Sequence, residues 1–150
     1  MNLLKEATEI YEKQSVSKHE DIATITFEII KTNKTAEVEN FLFFCLNSAN
    51  KIISINSTTG DLAQCAIYVR QLARTAILHN ARSVILSHNH PSGNITPSSD
   101  DVAITKKIKQ AMGTLDIDVL DHVIIGTETS VLSDEIKMTG SFSFATNGII

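Results

Sequence analysis

Apolar positions along the chain change period repeatedly. Leu3, Leu4, Ala7, Ile10 and Tyr11 recur at helical spacing, which predicts a helix within residues 1–15, and "SVSKHED" interrupts it. "IATITFEII" satisfies two patterns: its Ile, Thr and Phe favour a strand, and a helix tucked against a core would carry the same letters. "FLFFCL" and "KIISI", joined by the turn-forming "NSAN", predict a β-hairpin. From Gly60 to Ala81, Val69, Leu72, Ala73, Ala76 and Ile77 fall on one helical face, with room for a brief strand near Ala63 to Ile67. "SVIL" is then a buried strand. Val102, Ile108, Met112 and Leu115 predict a second amphipathic helix, "IDVLDHVIIG" a further strand, and "SFSFATNGII" a closing strand and turn. Strands interleaved with helices predict an α/β fold with a mixed sheet and helices on its faces.

The chain has 150 residues, enough for one domain that buries its own core. Thirteen basic and seventeen acidic side chains give a net charge of -4, which argues against a direct nucleic-acid surface, and "KKIK" at Lys106 to Lys109 sits in a helical pattern as a solvated face. Cys45 and Cys65 stand singly in apolar surroundings, as buried thiols in a reducing compartment would. The first residues, "MNLLKEATEIYEK", are broken by charges, and no apolar run reaches membrane-spanning length. A cytoplasmic protein with no membrane association is expected.

The densest chemistry lies in "SHNHPSGNITPSSDD", Ser87 to Asp101. If the "SVIL" strand continues, His88 and His90 point to one face while Asn89 points away. Pro91, Gly93 and Pro97 then force a loop before the next helix, and Asp101 falls in that helix's first turn, eleven positions after His90. Such a loop can fold the carboxylate over both histidines. Two imidazoles and a carboxylate make three ligands, and zinc held by three keeps a fourth position for water. Spacing alone supports a plainer account equally well: Ser98 and Asp101 resemble a capping box with Asp in the usual Glu position. A hydrolytic metal site also needs a carboxylate base, and H-E-x-x-H is absent. Glu39, before "NFLFFCL", is one candidate beside the equally acidic Glu28 and Glu37. The nucleases known by the letters HNH disperse those residues through a ββα unit, so the consecutive string here is a coincidence.

His-x-His-Pro-Ser-Gly followed by Pro-Ser-x-x-Asp in "HNHPSGNITPSSDD" resembles the JAMM-motif signature of the RadC-like branch of the JAB/MPN metallopeptidases. "ENFLFFCLN", "ARSVILSHNHPSG", "LDHVIIG" and "SFATNG" resemble further segments of that family in the same order, from about Glu39 onward. The resemblance implies a deaminase-like α/β fold with a curved mixed sheet between helices, spanning 39–150, with residues 1–38 packed on it as a helical or extended segment. It implies His88, His90 and Asp101 as zinc ligands, Glu39 as general acid/base, and Ser98 beside the reacting oxygen. The implied activity is peptide or isopeptide amide hydrolysis through a water activated by zinc, on an unidentified protein or peptide.

Some positions depart from the family. Val69 and Gln71 stand where many members have the Pro and Glu of Pro-Arg-Glu, and Asn147 stands where an acid is common. Longer members carry a helix-hairpin-helix portion associated with DNA, and residues 1–38 show no such glycine-centred hairpin. That leaves a second hypothesis, a non-catalytic or weakly active metal-containing binding module in DNA-related processes. Nucleotide deamination would need His-x-Glu and Pro-Cys-x-x-Cys, and neither occurs. His122 is expected to be structural, tied to Asp121 or a backbone group, with His19 and His79 at the surface. Oligomeric state is left open by the sequence, and an exposed strand edge of the 39–56 hairpin could pair in a homodimer.

Overall fold

The computed structural model describes residues 2, 3, 5–60 and 66–150. The elements run β1 (Asn2–Leu3), α1 (Lys5–Tyr11), α2 (His19–Asn33), β2 (Asn40–Leu46), β3 (Ile52–Thr59), α3 (Ala66–Leu78), β4 (Ser83–His90), α4 (Ser99–Gly113), β5 (Asp118–Thr129) and β6 (Ile136–Ser143). The strands form one mixed sheet in the order β1-β3-β2-β4-β5-β6; β4 and β5 are parallel, with α4 between them in sequence, and the other pairs are antiparallel.

"IATITFEII" resolves as helix. Asp21 accepts from the backbone N–H groups of Ser17 and Lys18, capping α2, and the helix buries Ile22, Ala23, Ile25, Thr26, Ile29 and Ile30. Its face packs with Leu42, Phe44, Leu46, Ile85, Val123 and Ile125 on one side of the sheet. The opposite face carries Phe41, Phe43, Cys45, Val84 and Leu86 against Leu72 and Ala76 of α3 and Ile108 and Met112 of α4. All seven residues of β2 are buried because helices cover both faces there, which removes the polar alternation of a half-exposed strand.

Several boundaries differ from the periodicity. The N-terminal helix is confined to Lys5–Tyr11 and follows a two-residue strand on β3. In the proposed strand at 63–67, residues 63–65 lie outside the described residues, and Ala66 already opens α3. Ile77 and Leu115 are exposed, and the buried stripe of α4 is Asp101, Thr105, Ile108 and Met112. Two polar residues thus head that stripe where α4 starts, beside the end of β4. Along the outer side of β3, β1 pairs with Ser57 and Asn56, and Ser15 bridges Lys51.

Candidate metal centre

The site forms where β4 ends and α4 begins. Phe41 of β2 sits opposite His88 in the antiparallel register, so His88 and His90 share the sheet face of Phe41 and Leu86, toward α4. After His90 the chain turns through Gly93 at a φ of 83°. His90 Nδ1 lies 2.6 Å from the Asn94 carbonyl oxygen, and Thr139 donates to Gly93 O at 2.6 Å, which fastens the loop to β6. Gly126 of β5 leaves room for this approach, since a Cβ there would stand 2.5 Å from Gly93 O. The loop then delivers Ser98, whose Oγ accepts from Asp101 N–H at 3.0 Å while Asp101 Oδ2 accepts from Ser98 N–H at 2.9 Å. The capping box is present, and it aims the same carboxylate at the histidines.

His88 Nε2 lies 3.0 Å from His90 Nε2 and 3.4 Å from Asp101 Oδ1, and His90 Nε2 lies 3.2 Å from Asp101 Oδ2. Two imidazole nitrogens so close repel unless a proton or cation lies between them. Ligands at about 2.1 Å from a tetrahedral ion stand about 3.4 Å apart, so this triangle has the size of one face of a metal tetrahedron. His88, His90 and Asp101 could therefore hold a metal ion, as their donor chemistry also permits. Burial disfavours the Asp101 anion, but the two adjoining histidines and the Ser98 N–H outweigh it and hold the carboxyl well below the usual carboxylate range. The hydrogen bond to Asp101 raises the pKa of His90, with burial opposing and Asn94 and Glu39 adding to the rise.

Glu39 immediately precedes β2, and the Phe41–His88 register carried two residues further sets it across from His90. It is half-buried, and its charge reaches His90. Ser98 is exposed at the start of α4. His122 lies outside the triangle of His88, His90 and Asp101: Asp121 Oδ1 accepts its backbone N–H, the expected tie, and its ring nitrogens lie 2.6 Å from His88 Nδ1 and 2.6 Å from Thr105 Oγ1, which the sequence did not show. Burial presses its pKa far down, so the ring is neutral.

Two residues behind the candidate site carry contacts that the sequence patterns did not show. Thr105 carries no motif, and its only sequence signal is its place one helical turn after Asp101. Asn89 was placed on the far face of β4, and there its Oδ1 accepts from Asn40 N–H at 2.7 Å while Nδ2 donates to Val38 O and Thr127 Oγ1, each at 3.1 Å. The residue between the two histidines therefore holds the segment that carries Glu39.

Sequence comparisons agree with this geometry. The RadC-like JAB domain family matches residues 16–138, which takes in α2 as well as the strands of the site. A UPF0758 protein of Saccharophagus degradans is 42% identical over 94 residues, covering 62% of this chain and 42% of the relative. A UPF0758 protein of Caldanaerobacter subterraneus is 38% identical over 134 residues, 89% of this chain and 55% of the relative. UPF0758 protein YeeS of Escherichia coli is 37% identical over 115 residues, 76% of this chain and 70% of the relative. The chain thus spans about half the length of the first two relatives. No helix among the described residues is long and apolar enough to cross a membrane. With the mixed sheet, the histidine pair at the end of β4 and the aspartate at the head of α4 all in place, this chain belongs to the RadC-like JAB domain family.

Proposed function

We propose that the domain is a zinc-dependent metallohydrolase that cleaves peptide or isopeptide amide bonds. The supporting observation is the convergence of His88, His90 and Asp101, whose ligand atoms all lie within 4.8 Å of one another, beside a glutamate whose charge reaches the site. Two imidazoles and a carboxylate suit zinc better than the harder cations, and a three-ligand set is the arrangement of catalytic rather than closed structural zinc. When bound, zinc supplies Lewis-acid polarisation of the amide carbonyl and makes water acidic enough to react near neutral pH.

The protein groups then divide the remaining tasks. Glu39 takes the proton of the attacking water and returns it to the departing amide nitrogen. Ser98 Oγ already accepts from Asp101 N–H, which leaves its own O–H to donate toward the carbonyl oxygen as negative charge develops there. Asp101 and both histidines hold the metal, and the capping box keeps the aspartate from swinging away.

Metal analysis of purified wild type, His88→Ala, Asp101→Ala and Glu39→Ala, paired with assays on quenched-fluorescent peptides and lysine isopeptides, tests the proposal. One zinc per chain is expected in wild type and Glu39→Ala, with loss of zinc in the ligand variants and loss of turnover in all three. Zinc binding with no hydrolysis by wild type across the panel would favour a metal-containing binding module instead. Full turnover in Glu39→Ala would remove Glu39 from the mechanism.

A further inference from the structure

The two histidines at the triangle differ in what lies behind them. His90 Nδ1 faces the Asn94 carbonyl at 2.6 Å, and a carbonyl can only accept. His88 Nδ1 faces another imidazole, His122 Nε2, also at 2.6 Å. One proton serves that contact, and its position decides whether His88 offers a lone pair or an N–H at Nε2.

The contact continues inward. His122 Nδ1 lies 2.6 Å from Thr105 Oγ1, and Thr105 Oγ1 lies 2.6 Å from the backbone carbonyl oxygen of Asp101, one helical turn earlier. His122 and Thr105 are fully buried, and the His122 ring is stacked on Phe144 with centroids 4.7 Å apart, so water does not compete with these partners. The Asp101 carbonyl cannot donate, and bonding back to it is an ordinary habit of a helical threonine. A Thr105 hydroxyl donating there must accept from His122 Nδ1–H. His122 Nε2 then accepts from His88 Nδ1–H, and His88 Nε2 is left bare toward His90 and Asp101. The reversed chain would put a proton on His88 Nε2, where it would block a metal.

We propose that Thr105 and His122 are positioning residues, forming a relay from the Asp101 carbonyl to His88 Nδ1 that fixes the His88 tautomer and presents a bare Nε2 to the metal. The relay rests on the metal-site part of the proposed function but not on hydrolysis. It links two ligands that belong to different elements, Asp101 on α4 and His88 on β4, through His122 on β5. Support of this kind behind a metal-binding histidine changes affinity by about 10–100-fold when removed.

Long-range ¹H–¹⁵N imidazole spectra of the metal-free protein at pH 8.5 read the relay without metal or substrate. Wild type should show His88 protonated at Nδ1 and bare at Nε2, and Thr105→Val, which keeps the shape and removes the hydroxyl, should lose that preference. Zinc competition with a chromophoric chelator should show Thr105→Val and His122→Phe weakened 10–100-fold. His122→Gln, whose side-chain carbonyl can still accept from His88, should recover part of that loss. A wild-type His88 protonated at Nε2 overturns the relay whatever the metal result. So does a Thr105→Val protein with unchanged tautomer and zinc affinity, even with a lowered melting temperature, which any buried substitution can cause. Should His122→Phe fail to fold, Thr105→Val alone decides. Absence of zinc binding by wild type would instead count against the proposed metallohydrolase, and the metal-free tautomer would still decide the relay.

Discussion

Asn89 Oδ1 accepts the backbone N–H of Asn40 at 2.7 Å, across two strands whose neighbouring residues are His88, His90 and Glu39. Asn89 is fully buried and also donates to Val38 O and Thr127 Oγ1. An isosteric leucine would fill its space and leave the Asn40 N–H without this acceptor, at about 1–3 kcal/mol for the buried group so orphaned, while Thr127 keeps its hydrogen bond to the Ala36 carbonyl. Asn89→Leu should therefore lower the urea midpoint and speed amide exchange at Asn40. An unchanged midpoint with unchanged exchange would show that the segment before β2 is held by other means.

Gly126 is the place where the loop after His90 lies against β5. With a Cβ 2.5 Å from Gly93 O, either the loop or the strand must move. Overpacking of this kind costs about 1–3 kcal/mol. Gly126→Ala should lose stability by that amount in urea and weaken metal binding, because Asn94 in the same loop holds the back of the His90 ring. Isothermal titration with zinc giving wild-type affinity would show that the loop adapts without moving His90.

Ser98 serves two purposes that a single substitution separates. Ser98→Ala removes the side-chain half of the capping box at a cost of about 1 kcal/mol. The backbone N–H of residue 98 still holds Asp101 Oδ2, so zinc affinity should stay within a few-fold of wild type. A hydrolytic loss beyond tenfold would then belong to the missing hydroxyl. Loss of zinc instead would mean that the capping hydroxyl, rather than the backbone, orients the aspartate.

The metal-free protein should show two opposite pH dependences. Asp101 is held below the usual carboxylate range, so its contribution is present above the ordinary carboxyl pKa and fades as pH falls through the folded value. His90 is raised, so its contribution is complete below the ordinary histidine pKa of about 6.5 and fades as pH rises through the folded value. The lowered pKa of buried His122 adds a rise through the ordinary histidine range, so the difference between wild type and His90→Gln isolates the His90 contribution. The wild-type advantage in urea midpoint over His90→Gln should shrink as pH rises above about 6.5, and an advantage independent of pH from about 6 to 8 would contradict the His90–Asp101 pairing.

Much of this arrangement was legible from short-range rules. Strand alternation places His88 and His90 together and Asn89 apart, and the Ser98–Asp101 spacing is a capping box. What those rules could not supply was which capping boxes also face a histidine pair, because that depends on β4 ending beside the start of α4. "IATITFEII" was ambiguous for a related reason: an element covered by a sheet on one side carries the same apolar letters as a buried strand. Leu115 fits the α4 period yet lies exposed beyond its end, whereas Thr105 breaks the apolar stripe and is buried because it faces His122. A hydroxyl buried for one neighbour on another strand leaves no periodic signal. Glu39 was indistinguishable from Glu28 and Glu37 by position, and it is the β2–β4 register that sets it across from His90.

Anomalous scattering at the zinc edge from crystals of the zinc-loaded protein tests the central claim most directly. The account predicts one strong peak bonded to His88 Nε2, His90 Nε2 and the Asp101 carboxylate, with Glu39 bordering the open side. No peak at that triangle, or a peak held by other side chains, would contradict it.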